Sequence, residues 1–198
     1  CPERSGKYLE RISNDKRLTI LYNVENLGVG GAVKKGYEHA LENGAEIIVK
    51  LDGDGQMDPK LIKRLVNPIL TSKADYAKGN RFYDMDHIKN MPKIRIFGNL
   101  VLSFFAKFST GYWRIFDPNN GFTAVTSSVL RQLDLEKVDN RYFFESDMLF
   151  RLNLARAVVI DVPMEAKYGS EVSNLNVKRA TGEFPIKHTR NFFKRVAY

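Results

Sequence analysis

Residues 47–65 read IIVKLDGDGQMDPKLIKRL, and this stretch decides the fold. The run EIIVKLD at its start is short, apolar and β-branched, which reads as a buried strand. Asp58 and Pro59 then stand as N-cap and first residue of a helix over DPKLIKRLVNPILTS. Between strand and helix, Asp52, Asp54, Gln56 and Asp58 fall at every second position, and Gly53 and Gly55 leave the backbone bare. Four oxygen-bearing side chains are thus aimed from one loop.

The same alternation extends in both directions. KYLERISN reads as a short helix and LTILYN (18–23) as a strand. GVGGAVKKGYEHALENG follows as a helix with Gly44 just past its end. Downstream, ADYAKGNR is a strand and KIRIFGNLVLSFFAKFSTG a long apolar helix. NGFTAVT is a short strand, and SSVLRQLD a helix capped by Ser127 or Ser128. FFESDMLFRLNLARA is a helix and AVVIDVPMEAKY a strand. Strand and helix alternate, so the class is α/β: a mostly parallel sheet flanked by helices. In such sheets ligands sit at the carboxyl ends of strands, where the acidic loop lies.

The 198 residues suffice for one domain with a core. A single cysteine, Cys1, excludes an internal disulfide framework. The net charge of +8 favours a polyanionic partner: nucleic acid, a phosphate-bearing substrate or an anionic membrane surface. Residues 1–17 carry no signal-peptide pattern, and no uninterrupted apolar run is long enough to span a bilayer.

Three readings compete for the acidic loop. A calcium loop of the EF-hand type needs glycine at its sixth position and glutamate at its twelfth, where Met57 and Lys63 stand. A plain helix-capping turn explains Asp58 but not Asp52 beside Asp54, since neighbouring carboxylates repel without a cation between them. The third is a site for Mg²⁺ or Mn²⁺ carrying a diphosphate, with hard oxygen ligands from one or two carboxylates and the phosphates.

Five segments, in order, resemble family 2 glycosyltransferases of the GT-A (Rossmann-like) fold, and among them the dolichyl- and polyprenyl-phosphate mannose and glucose synthases. They are NVENLGVGGAVKKGYEHA, LDGDGQMDP, KGNR, DPNNGFTAV and YFFESDMLFRLN. The match covers roughly residues 18–170. Two motifs that open the family, strand ends of the type Pro-x-Tyr-Asn-Glu and Asp-Asp-Gly-Ser, do not occur. The sheet is therefore expected to lack its amino-terminal strands here, and the sequence to be part of a longer protein. The expected layout is a catalytic domain over 1–170 and a basic, aromatic, juxtamembrane-like tail over 171–198.

The resemblance implies an inverting transfer from a UDP- or GDP-linked sugar to a polyprenyl or dolichyl phosphate or a related acceptor. Asp54 and Gln56 would bind the metal, with Asp52 close by. Asn26, Gly28 and Gly30 would face the donor from a helix start. Arg81 would grip the acceptor phosphate, joined by Lys93 and Arg95. Asp117, Asn120 and Gly121 would lie in a loop against the site. Glu145 and Asp147 are the general-base candidates, Asp147 preferred if the acceptor is a sugar hydroxyl. His39, His87 and His188 lack metal-ligand spacing and are expected to be ordinary polar positions.

The helix from Lys93 is apolar nearly all the way round, which favours burial, while its flanks (Lys93, Arg95, Trp113, Arg114) suit a membrane edge. The tail mixes four aromatic residues, Phe184, Phe192, Phe193 and Tyr198, with Lys187, Arg190, Lys194 and Arg195. A peripheral or anchored enzyme on the cytoplasmic face of a membrane is the expectation. A sugar nucleotidyltransferase is the runner-up, though its Gly-rich basic opening loop is not visible. A nucleic-acid-binding module is disfavoured because the positive charge is dispersed and carries no recognition motif. An inactive transferase-like domain is the remaining alternative.

Overall fold

The structure, a computed structural model, describes residues 4–83, 93–164 and 177–197, the side chains of 93–100, 102 and 177–181 excepted. Helices α1 (Ser5–Ile12) and α2 (Gly28–Glu42) precede strand β1 (Ile47–Lys50). A 3₁₀ turn, Pro59–Leu61, leads into α3 (Ile62–Leu70) and then β2 (Tyr76–Asn80). Next come α4 (Lys93–Thr110), β3 (Thr123–Thr126), α5 (Ser127–Leu130) and a second 3₁₀ turn, Leu135–Lys137. The order closes with α6 (Phe144–Leu154), β4 (Val159–Pro163) and α7 (Val177–Ala197).

The strands lie in the order β1-β3-β2-β4. Strand β3 is antiparallel to both neighbours, and β2 is parallel to β4. Three strands thus share one direction, as expected of a mostly parallel sheet, and β3 alone runs against them and makes the sheet mixed. The reason lies in the register: Thr123, the first residue of β3, faces Lys50, the last of β1. The chain enters β3 from the carboxyl ends of its neighbours and must run back against them.

Alternation along the strands gives each sheet face its own core. Tyr76 and Val125 turn towards α2 and α6, meeting Tyr37, Phe144, Met148 and Leu149. Ala77, Ala124 and Val162 turn the other way onto Leu65 and Ile69 of α3. The expected strand LTILYN does not form; Leu18, Leu21 and Tyr22 are exposed. A strand needs a ladder partner. Among the described residues none borders this segment or the free edge of β1.

Local signals behave as their chemistry dictates, with one shift. The Asp58 carboxylate accepts from the Lys60 amide at 2.9 Å, as an N-cap should. Gly44 has φ +75°, the left-handed turn expected after α2. The cap of α5 is Thr126 rather than Ser127 or Ser128: its backbone is still extended, and its hydroxyl accepts from the Val129 amide at 3.3 Å.

Helix α7, the described part of the basic aromatic segment, packs along α4 and buries Phe184, His188 and Asn191. The expected burial of α4 is corrected to one side only, because Val101, Phe104 and Phe108 remain exposed on a common strip. His188 is not an ordinary polar position either. Its ring packs against Phe105 and Phe143, and its Nδ1 lies 2.7 Å from the Ser109 hydroxyl. Burial lowers its pKa to about 4 from 6.5.

That depression fixes the sign of an acid effect. Between pH 6.5 and 4 the unfolded chain takes a proton on His188 that the folded chain refuses. The contribution is whole above pH 6.5 and declines by about 3 kcal/mol as pH falls to 4, at about 1.4 kcal/mol per unit. Urea midpoints across this range should fall steeply for the native protein and less for His188→Phe. Equal slopes would place the acid sensitivity elsewhere.

Candidate active site

One register line crosses the whole sheet. Lys50 of β1 faces Thr123 of β3, which faces Lys78 of β2, which faces Asp161 of β4. Both lysines are buried, Lys78 fully. The Lys50 ammonium donates to Asp52 at 2.8 Å and to the Gly121 carbonyl at 3.1 Å, and Glu145 Oε1 lies 3.3 Å away. The Lys78 ammonium donates to the neighbouring carbonyl, that of Asn120. Burial lowers the Lys78 pKa to about 8, opposed by the negative charges of Glu145, Asp117 and Asp161.

Asn120 leads from there to a second ion pair. Its side-chain amide donates to Asp117 at 3.3 Å, and its amide oxygen accepts from the Phe122 N–H at 2.9 Å. Buried Asp117 holds Arg81 by a two-pronged pair, 2.7 Å from Nε and 2.9 Å from Nη2, and also accepts from the Arg81 backbone at 3.2 Å. Asp161 closes the row. It accepts from Asn80 at 3.1 Å and from the Phe116 N–H at 2.7 Å. Its other oxygen is buried without a hydrogen-bond partner among the described residues, and burial raises its pKa to about 6.

The acidic loop borders this network. Asp52 is half-buried between Lys50 and Gly121. A Cβ on Gly121 would stand 2.3 Å from Asp52 Oδ2 and 2.4 Å from Lys50 Nζ, so only glycine allows that approach. Asp54 is exposed, and its Oδ1 accepts from the Gln56 N–H at 3.0 Å. Among the described residues no three His, Cys, Asp or Glu side chains converge as a complete metal cage. Two carboxylates and an amide on one loop still suit a hard divalent cation that takes its other ligands from a diphosphate. Gln56, Met57, Arg81, Asn120 and Met164 line a pocket between loop and arginine.

The structure therefore brings Asp52, Glu145, Arg81, Asp117, Asn120 and Gly121 into one connected network, with Asp54 and Gln56 on the adjoining loop. It does not bring Asp147 there. That carboxylate accepts from the Asp139 N–H at 3.0 Å, from Asn191 at 2.9 Å and from Arg151 at 3.3 Å, in the seam between α6 and α7. Asn26, Gly28 and Gly30 stand at the start of α2, the two glycines against the backbone of Asp139 and Asn140. The Asn26 side chain accepts from the Gly28 N–H at 2.9 Å, and a Cβ on Gly30 would stand 2.3 Å from the Asp139 carbonyl. The side chains of Lys93 and Arg95, and all of His87, lie outside the described residues. Lys50, Lys78 and Asp161 are additions that sequence reading missed.

A sheet flanked by helices, with a carboxylate loop and a clamped arginine at its carboxyl edge, defines a GT-A-type α/β protein. Solved structures of that fold superpose on the chain. Glucosyl-3-phosphoglycerate synthase from Mycobacterium tuberculosis, in complex with UDP, matches with a TM-score of 0.58 at 16% identity, over 88% of this chain and 56% of that one. The profile of glycosyl transferase family 2 matches residues 2–137. The chain belongs to that family. UDP-N-acetylglucosamine–dolichyl-phosphate N-acetylglucosaminyltransferase of Methanococcus voltae is 32% identical over 77% of this chain and 60% of its own length. Polyprenol monophosphomannose synthase of Mycolicibacterium smegmatis is 26% identical over 90% of this chain and 69% of its own. The chain thus spans about two thirds of the length of these relatives.

The fit at Gly121 is directly measurable. Gly121→Ala should force Asp52 and Lys50 apart and cost about 1–3 kcal/mol, the usual penalty of overpacking. Gly53→Ala, whose Cβ would meet nothing within 4 Å, should stay within about 0.5 kcal/mol of the native protein. Urea denaturation of the two variants checks the difference; equal midpoints would refute the close approach.

Proposed function

We propose that this chain carries the catalytic site of a metal-dependent inverting glycosyltransferase that moves a sugar from a UDP- or GDP-sugar to a polyprenyl or dolichyl phosphate. The observation that carries the reading is the junction at Asn120–Gly121. On one side of it stand the carboxylates Asp52 and Glu145, and on the other Arg81, held by Asp117. The two sides suit two phosphate-bearing ligands of opposite need: a diphosphate that arrives with its cation, and an acceptor phosphate that needs a cationic fork.

Asp54 and Gln56, with Asp52 near, would hold Mg²⁺ or Mn²⁺, and one homologous-fold structure is a complex with Mn²⁺ and UDP-glucose. Such an ion supplies charge neutralisation for the departing nucleoside diphosphate. Arg81 would orient the acceptor phosphate so that one of its oxygens attacks the anomeric carbon as the carbon–diphosphate bond breaks on the opposite face. A phosphate oxygen carries its own negative charge at neutral pH, so this step needs no general base. Asp147, engaged in its seam, has no task in it.

A lipid acceptor also has a face to meet. Phe104, Phe108, Phe192 and Phe193 form a ring ladder across the α4–α7 seam, with successive centroids 6.4, 4.0 and 5.5 Å apart. Phe104 and Phe193 are more than half exposed; Arg195 lies over the Phe192 ring, and Lys107 over the ring of Phe116. Exposed aromatics with a basic rim suit the headgroup level of an anionic leaflet, here the cytoplasmic one where nucleotide sugars are met. No helix among the described residues is long and apolar enough to cross a membrane.

Kinetics of the full-length protein with UDP- and GDP-sugars, Mn²⁺ and a polyprenyl phosphate tests the reading. Asp54→Ala should lower kcat about a hundredfold or more, and Arg81→Met should raise the acceptor KM about tenfold or more. The product must be the nucleoside diphosphate; release of pyrophosphate would mean a nucleotidyltransferase instead. Separately, Phe104→Ser with Phe193→Ser should weaken sedimentation with phosphatidylglycerol vesicles about tenfold without altering donor binding. Unchanged sedimentation would remove this face from the membrane contact.

A further inference from the structure

Lys78 is the one fully buried ammonium on the central strands, and a leucine or methionine would fill its place more cheaply. Taking an ammonium out of water costs several kcal/mol unless charge and hydrogen bonds compensate. The compensation here is directional. Lys78 and Lys50 stand on β2 and β1 with only Thr123 between them, so their backbones are about 10 Å apart by strand spacing. They donate to consecutive carbonyls, Asn120 and Gly121. From Asn120 the contacts run through its side-chain amide to Asp117, and from Asp117 by two prongs to Arg81.

We propose that Lys78 is a positioning residue for glycosyl transfer: it holds the Asn120 carbonyl from beneath, so that Asp117 presents the Arg81 fork in the orientation the acceptor phosphate requires. This rests on the role given to Arg81 above. Lys50, by contrast, serves the carboxylate side through Asp52 and Glu145. The two lysines therefore divide the site, one for each substrate, across a single peptide unit.

The division gives an unequal kinetic response. In the full-length protein, Lys78→Met should raise the acceptor KM about tenfold or more, leave the donor KM within about twofold, and be partly rescued by Lys78→Arg. A structural loss alone would affect both substrates. The groups facing Lys78 are Lys50 from β1, Asp161 from β4, Glu145 from α6 and Asp117 from the loop before β3. With these fixed, deprotonation of Lys78 near pH 8 should raise the acceptor KM of the unmutated enzyme as pH climbs through that value. Lys78→Met should be flat there. If Lys78→Met does not fold, Lys78→Gln decides: an acceptor KM within about twofold of the native value, or one that rises in step with the donor KM, overturns the proposal. Arg81→Met separates the two levels. If it leaves the acceptor KM unchanged, the acceptor reading itself falls; if it raises that KM and Lys78→Met does not, only the role of Lys78 falls.

Discussion

The site depends on two buried ammonium groups that hold two adjacent carbonyls. Without Lys50 and Lys78, the carbonyls of Asn120 and Gly121 would be buried acceptors without donors, at a cost of about 1–3 kcal/mol each. A long flexible side chain rising from the same register line can reach the loop. Placing Thr123 between the lysines keeps the two charges a strand apart, and Glu145 lies close enough to act on both. The arrangement is a compact ion lattice in which each cation has an anion on its own side.

Much of the frame was legible in the sequence because it rests on local chemistry. Asp58-Pro59 caps and starts a helical turn in any context. The apolar run 47–49 and the positive φ at Gly44 are similarly self-contained. The acidic loop stands out in the sequence because neighbouring carboxylates repel unless something positive lies between them. LTILYN failed for the complementary reason: its pattern was that of a strand, but a strand exists only where another strand offers hydrogen bonds.

The missed residues share a different cause. Lys78 sits in ADYAKGNR, where a lysine reads as an exposed charge, since lysine is almost never fully buried unless paired. Its partner is a backbone carbonyl 42 residues away, which no sequence period marks. Asp161 in VVIDVP is similar, its partners being Asn80 and the Phe116 amide. Asp147 erred in the opposite direction. Beside Glu145 on a helix start it looks like half of a catalytic pair, but neighbours two apart on a helix point to different sides. Glu145 turns to Lys50, and Asp147 turns to Asn191 of α7.

The loop between α4 and β3 joins the two ends of the proposed reaction. It begins at the aromatic face, with exposed Trp113 and Phe116, and finishes in the network, with buried Asp117, Asn120 and Gly121. Its midpoint is fixed where the Phe116 N–H meets Asp161, the far end of the line of Lys50, Thr123 and Lys78. Lys107 of α4 lies over the Phe116 ring, 3.9 Å from its centre, so the helix that carries the ladder also grips the loop. An acceptor with a lipid chain and a phosphate head needs such a continuity. Its chain must be met at a surface and its head at an arginine, and one short loop braced by Lys50, Lys78 and Asp161, charged residues from three of the four strands, fixes the spacing between the two.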